Sequence, residues 1–269
     1  MAQIDIKKTT IRILDGRAAT LTSDHTAAEA DILYTAQPHI GSRLPTITHT
    51  DPGGNSQPLT ITVTGYDIDI SLATDGGGTI TSTAQQVIDA INGDAAASAL
   101  VVAATAPSND GTGLVNALAQ APLATGPRAL ILKIGEGNIT WTESQPRIYT
   151  KDAGRLDTVR DDDEEMVELR FDAIWEFLRA STGQPVTPTD ALKNRGEAAA
   201  WVSSDTADPC QPYSVDLEIQ YAPNCSPVEQ EYYIFPKFRW ETIEHDLRNG
   251  TLAFSGMCNV TEAKTSRAA

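Results

Sequence analysis

The run Asp161, Asp162, Asp163, Glu164 and Glu165 is the densest array of carboxylates in the chain. Divalent-cation binding is the chemistry it suggests first. Calcium loops set oxygen ligands at alternating positions around a turn glycine, as in DxDxDG, and this run has neither the alternation nor the glycine. It reads instead as a solvated loop. Asp67 and Asp69 share a strand face with Asp75 nearby, a better arrangement for an ion, yet this too reads as a surface pattern. Gly135-x-Gly137 lacks the third glycine and following helix of a nucleotide loop. Gly76, Gly77 and Gly78 precede a helix start but have no Lys or Arg near them in sequence, so a turn explains them better than an anion site. The four histidines are scattered, and His245 has no partner at ligand or triad spacing. Cys210, Cys225 and Cys258 show no zinc spacing and read as core thiols, with a Cys210–Cys225 bridge across a loop as the alternative. No catalytic, cofactor-binding or metal site is expected, and the chain is not expected to be an enzyme.

The elements around the acidic run are more informative. Val167, Leu169, Phe171, Ala173, Trp175 and Phe177 alternate with Glu168, Arg170, Asp172 and Glu176. A period of two over that length means an extended, half-buried strand. The preceding segment, Tyr149 to Glu165, is charged, poor in large apolar groups and too long for a tight turn. Loops of that length in compact domains usually carry function, and with no nucleophile and base the function is contact.

Composition divides the chain. From Asp31 to Gly126 there is no Lys, Glu, Trp, Phe, Cys or Met, and Arg43 is the only basic residue. Such a break marks a separate module with a small-residue core. It places an inserted α/β module at residues 30–126 and a discontinuous β domain at residues 1–29 and 127–269. Within the module, Leu59, Ile61 and Val63 and then Ile68, Ile70 and Leu72 alternate about Gly65-Tyr66, which reads as a β-hairpin. Ser82 or Thr83 caps a helix with the stripe Ala84, Val87, Ile88 and Ile91, ending at Asn92-Gly93. A strand returns over Leu100 to Ala103.

In the rest of the chain, Ile4 to Leu14 reads as one strand or a pair. Ala129 to Ile134 and Asn138 to Glu143 read as a hairpin, and Thr189 as the cap of a short helix, Asp190 to Arg195. Further strands follow near Ala198 to Ser203, Tyr213 to Tyr221, Glu229 to Phe235, Phe238 to Leu247 and Thr251 to Val260. Trp141, Trp175, Trp201 and Trp240 read as core anchors. Many strands with one short helix indicate a mainly β protein, a two-sheet sandwich or partly closed barrel. The net charge of −16 disfavours holding DNA by counterion release. The starting residues have no apolar signal core and no window approaches a membrane span, so folding in the cytoplasm and no membrane partner are expected.

GEGNITWTE (135–143), KDAGRLDTVRDDDEE (151–165), WEF (175–177), DALKNRGEAAAWVSS (190–204), DPCQPY (208–213) and FRWETIEHDLRNGTLAFSGMCNVTEA (238–263) together resemble the tail tube proteins of long-tailed bacteriophages. The resemblance covers the first strand and nearly everything after Pro127. YTA (34–36), DPGGNSQPLTITVTG (51–65), ISLATDGGGTITSTAQQVIDAI (70–91) and DGTG (110–113) resemble a small module that recurs in phage structural proteins. The first resemblance implies a two-sheet β-sandwich or barrel with a flanking helix, self-assembly into stacked hexameric rings, and an acidic channel through which DNA passes without specific binding. It implies tail terminator, tape measure and baseplate partners, and a place in the virion tail after assembly in the host cytoplasm. It also implies that the segment holding Tyr149, Lys151, Asp152, Arg155, Asp157, Arg160, Asp161, Asp162, Asp163, Glu164 and Glu165 reaches a neighbouring subunit or ring. A contractile-system tube shares the fold and stays open as an alternative. So does a carbohydrate-binding virion protein acting through the module, although the module has no Trp or Phe on which a sugar could stack.

Overall fold

The computed structural model describes residues 8–134, 138–153, 155–174, 178–179, 185–206, 210–222 and 230–267. The protein is mainly β, and it divides into two compact units. One is Met1–Arg17 with Arg128–Ala269, and the other is Ala18–Pro127. In chain order, β1 (Thr9–Leu14) belongs to the first unit. The second unit takes β2 (Thr20–Ser23), β3 (Ile32–Ala36), β4 (Thr46–Thr50), β5 (Thr60–Thr64), β6 (Asp67–Ser71), α1 (Ala84–Gly93), α2 (Ala95–Ser98), β7 (Val101–Thr105) and β8 (Leu118–Pro122). The chain returns to the first unit with β9 (Ala129–Leu132), β10 (Ile139–Thr142), β11 (Arg147–Asp152), β12 (Arg155–Asp161) and β13 (Val167–Ile174). Then come β14 (Leu178–Arg179), β15 (Pro185–Val186), α3 (Pro188–Lys193), β16 (Val215–Tyr221), β17 (Glu231–Asp246), β18 (Thr251–Cys258) and β19 (Lys264–Arg267).

The first unit is built on one sheet in the order β10-β13-β18-β17-β16-β1-β9, with β19 also on β17. Its pairs are antiparallel, and inward residues alternate along the strands except at the bulges of β17, where Phe235 and Phe238 both join the core. Ile11, Ile13, Leu130, Leu169, Phe171, Leu217, Phe235, Phe238, Leu252 and Phe254 meet in one core. There the Phe171 ring stacks on Phe254 at 4.9 Å. Burying each such side chain contributes about 1.5–3 kcal/mol.

The expected hairpin of residues 129–134 with 138–143 does not form. β9 pairs with β1 and β10 with β13, at opposite ends of the sheet order. The Ile174 N–H donates to the Lys133 carbonyl at 2.7 Å, and the Asp172 N–H to the Asn138 carbonyl at 3.0 Å. β9 thus covers β1 on one side of the sheet and β10 covers β13 on the other.

Other expectations change as well. Thr187, not Thr189, caps α3, through a capping box with Asp190 and with Pro188 in the first turn. The strands expected at 229–235 and 238–247 are a single β17. A bulge at Lys237 (φ 57°) carries the chain past Pro236, and the Lys237 N–H donates to Asp216 Oδ1 at 2.9 Å. Residues 198–203 are not a strand. A 3-10 turn at Gly196–Ala198 leads into irregular chain, and there Trp201 is buried against the core. Trp141 and Trp240, expected as core anchors, are about one-third exposed. Trp141 lies edge-on to Phe235 at 5.4 Å, and Trp240 lies under the Lys193 ammonium at 4.8 Å. Trp175 and Cys225 fall outside the described residues; Cys258 is buried, whereas Cys210 is exposed.

The second unit has a four-stranded sheet, β5-β6-β4-β8, and a three-stranded sheet, β2-β3-β7. Ile32, Tyr34, Ile47, Ile68, Ile70, Val87, Ile91 and Val101 form its core. The β5–β6 hairpin turns at Gly65-Tyr66, with Gly65 at φ 62°. Thr83 caps α1 in a capping box with Gln86, and Ala84, Val87, Ile88 and Ile91 are its buried stripe. The unit begins at Ala18, twelve residues before the expected module boundary at residue 30. The reason is that β2 pairs with β3, and Thr20 and Ala124 exchange backbone hydrogen bonds of 2.9 and 2.8 Å. Residues 18–29 are mixed in composition, but strand pairing makes them part of the second unit.

Where the chain leaves and re-enters the first unit, Asp15 ties the ends together. Its carboxylate accepts from the N–H of Arg128 at 2.7 Å, of Arg17 at 3.3 Å and of Val202 at 3.4 Å. Its own N–H donates to the Arg128 carbonyl at 3.0 Å.

Candidate functional site

The segment before β13 is not an irregular loop. It is a two-stranded arm, β11 and β12, with only residues 153 and 154 between the strands and Ala153 at φ 48°. Register puts Arg147 opposite Asp161, Tyr149 opposite Val159 and Lys151 opposite Leu156. The intervening pairs, on the other face, are Ile148 with Arg160, Thr150 with Thr158 and Asp152 with Arg155. The count of two residues against one between Thr150 and Lys151 bulges the arm there. Alternation is present, but the apolar side chains are not buried. Tyr149, Leu156 and Val159 are each more than half exposed and Ile148 nearly so. A reading that equates strands with a buried face therefore passes over this one.

Of the expected contact residues, Tyr149, Lys151, Asp152, Arg155, Arg160 and Asp161 lie on the arm with exposed side chains. Asp157 is on β12, but its side chain is outside the described residues. Asp162, Asp163, Glu164 and Glu165 form the exposed return to β13, where the Asp162 N–H donates to the Pro146 carbonyl at 3.0 Å and closes the base of the arm. Glu164 and Glu165 also line an open cleft of about 390 Å³ with Met166, residues Asn259–Glu262 and Lys264. The arm thus presents one face with an aromatic and two aliphatic side chains between charged ends. It can bury apolar area against another surface while cations and carboxylates at its rim set the register.

The other carboxylates are occupied locally. Asp67 accepts from Thr46 Oγ1 at 2.6 Å and Gln120 Nε2 at 3.2 Å, and Asp69 from Thr50 Oγ1 at 2.6 Å. Asp75 Oδ1 accepts from the N–H of Thr79 and of Gly77, which hold its carboxyl below the usual range. The glycines after it thus serve a turn. Among the described residues no three His, Cys, Asp or Glu side chains gather as a metal site would require.

One cluster was not read from the sequence. His25 and His49 stack at 5.1 Å in the core of the second unit, and Tyr34 Oη lies 2.8 Å from His49 Nε2. The signal that could have located His49 is its phase: it follows Ile47 by two on β4, so it shares the inward face. Nothing in the spacing pairs it with His25. Comparison of the chain with protein-family models, with curated proteins and with solved structures finds no match.

Proposed function

We propose that the protein is a self-assembling structural subunit, a tail tube protein of a long-tailed phage, with the β11–β12 arm as its contact to a neighbouring copy. The sequence resemblance motivates this reading, and the observation that carries it is the arm. Its large apolar side chains are exposed, whereas those on β13 are buried. A lone two-stranded hairpin is marginal in water, and a second surface covering Tyr149, Leu156 and Val159 removes that deficit. The many-stranded first unit agrees with the kind of body that such tubes use.

Charge supports the same reading. Residues 31–126 carry eight Asp against Arg43, a net of −7, which leaves −9 of the total −16 for the remainder. Repeated around a ring, an acidic inner wall would repel phosphates throughout DNA transit. The second unit would then lie outside the channel. Electron microscopy of the concentrated protein tests the reading: rings or tubes are expected, and a persistent monomer would overturn it. Tight DNA binding by isolated rings at moderate salt would refute the acidic wall.

A further inference from the structure

Burial of two imidazoles in direct contact is unusual, and in the second unit they join separate elements. His25 follows β2, His49 lies on β4, Tyr34 on β3, and Asn116 precedes β8. The cluster therefore ties the three-stranded sheet to the four-stranded one. His49 and Tyr34 are almost wholly buried and His25 is nearly so. The Tyr34 hydroxyl and His49 Nε2 share a hydrogen bond. His25 Nδ1 faces the Asn116 side-chain carbonyl at 3.2 Å and its backbone N–H at 3.3 Å. The remaining ring nitrogens, His25 Nε2 and His49 Nδ1, are buried without a hydrogen-bond partner. A neutral ring tolerates this at modest cost, whereas a proton on either ring would place an unsolvated charge against the other imidazole.

We propose that the stacked His25–His49 pair is an acid-sensitive latch that keeps the two sheets of the second unit together only while both rings are neutral. The groups facing the pair support that sense. Burial lowers the affinity of His25 for a proton, outweighing the Asn116 hydrogen bond and the carboxylates of Asp31 and Asp24, which raise it. Burial and then the His25 ring push His49 down to about 3, against the opposing effect of Asn116. Tyr34 stays protonated, because burial disfavours its ionised form. Strand register sets the apolar Ile70 and Leu118 beside His49 on β6 and β8. Because folded values lie below the unfolded ~6.5, the opened state binds protons more readily. The latch is therefore complete above that pH and weakens as pH falls.

Hydrogen exchange on the intact chain between pH 7.5 and 4.5, corrected for intrinsic rates, reads this directly. Below ~6.5 the opening constant of β3 and β4 should rise about tenfold per pH unit from His49, and more steeply where His25 adds its proton. β13 and β18 of the first unit should not follow that slope. A flat opening constant, or one common slope for both units, would overturn the proposal. His49→Phe should remove the His49 share of the slope and leave only that of His25. Should that variant not fold, ring titration by NMR in the unmodified protein decides. A His49 ring that titrates near ~6.5 with β3 and β4 still protected would also sink the latch.

Discussion

A single carboxylate, Asp15, secures the point at which the chain departs from the first unit and comes back. Its three N–H donors are backbone groups of Arg128, Arg17 and Val202. Asp15→Ala would leave those donors short of acceptors in a buried setting. A loss of about 1–3 kcal/mol in the denaturant unfolding of the first unit is expected, and an unchanged midpoint would show that the tie is dispensable. Gly256 is constrained differently. It sits opposite Trp240 at the bulge of β17, where an added Cβ would press on the Arg239 backbone carbonyl. Gly256→Ala should therefore displace the β17–β18 pairing and lower the melting temperature, while Gly250→Ala strains only an exposed turn. Asp216 acts through pH. Burial lifts its carboxyl to about 6 despite the hydrogen bonds from the Lys237 N–H and the Ser204 side chain. Its folded value exceeds the unfolded ~3.9, so stability is present below that and declines as pH rises through 6. Asp216→Asn should flatten the stability of the first unit between pH 4 and 7; a variant that keeps the wild-type slope would assign that slope to other groups.

Among the elements, the arm separates folding from assembly. Its strands pair with each other, and the base is closed by the Asp162–Pro146 hydrogen bond. Replacing residues 147–161 with a short turn should leave the sheet of the first unit intact by circular dichroism and abolish ring formation. Reversing Arg155 and Arg160 to Glu should do the same with the arm retained. Assembly of either variant at the wild-type concentration would remove the arm from the interface. Backbone amides of β11 and β12 should exchange fast in the monomer and slowly in assembled material, since an isolated hairpin has little area with which to offset its ordering entropy.

At the scale of the whole molecule, the two units make a deletion experiment direct. Joining Arg17 to Arg128 through a short linker removes Ala18–Pro127 at the limits of the compact unit. The product should fold and assemble. Removing only residues 31–126 keeps β2 but strips it of β3 and strands Ala19, which is buried in the complete chain. That shorter excision should give a less soluble product. Acid should also act on the units in opposite directions, loosening the second through His25 and His49 and favouring the first through Asp216. Much of this architecture could be read from residue order. The inward phase of Val167, Leu169, Phe171 and Ala173, the Gly65-Tyr66 hairpin and the α1 stripe each arise from contacts within a few residues. Local periodicity and turn chemistry decide them. What depended on tertiary structure is pairing at a distance. The placement of β9 and β10 at opposite sheet edges, the assignment of residues 18–29 by strand partner, and the meeting of His25 with His49 all lack a sequence period. The exposure of the arm belongs there too, because its alternation is the same as that of a buried strand. Only the surrounding chain determines that water, and not a core, lies against Tyr149 and Val159.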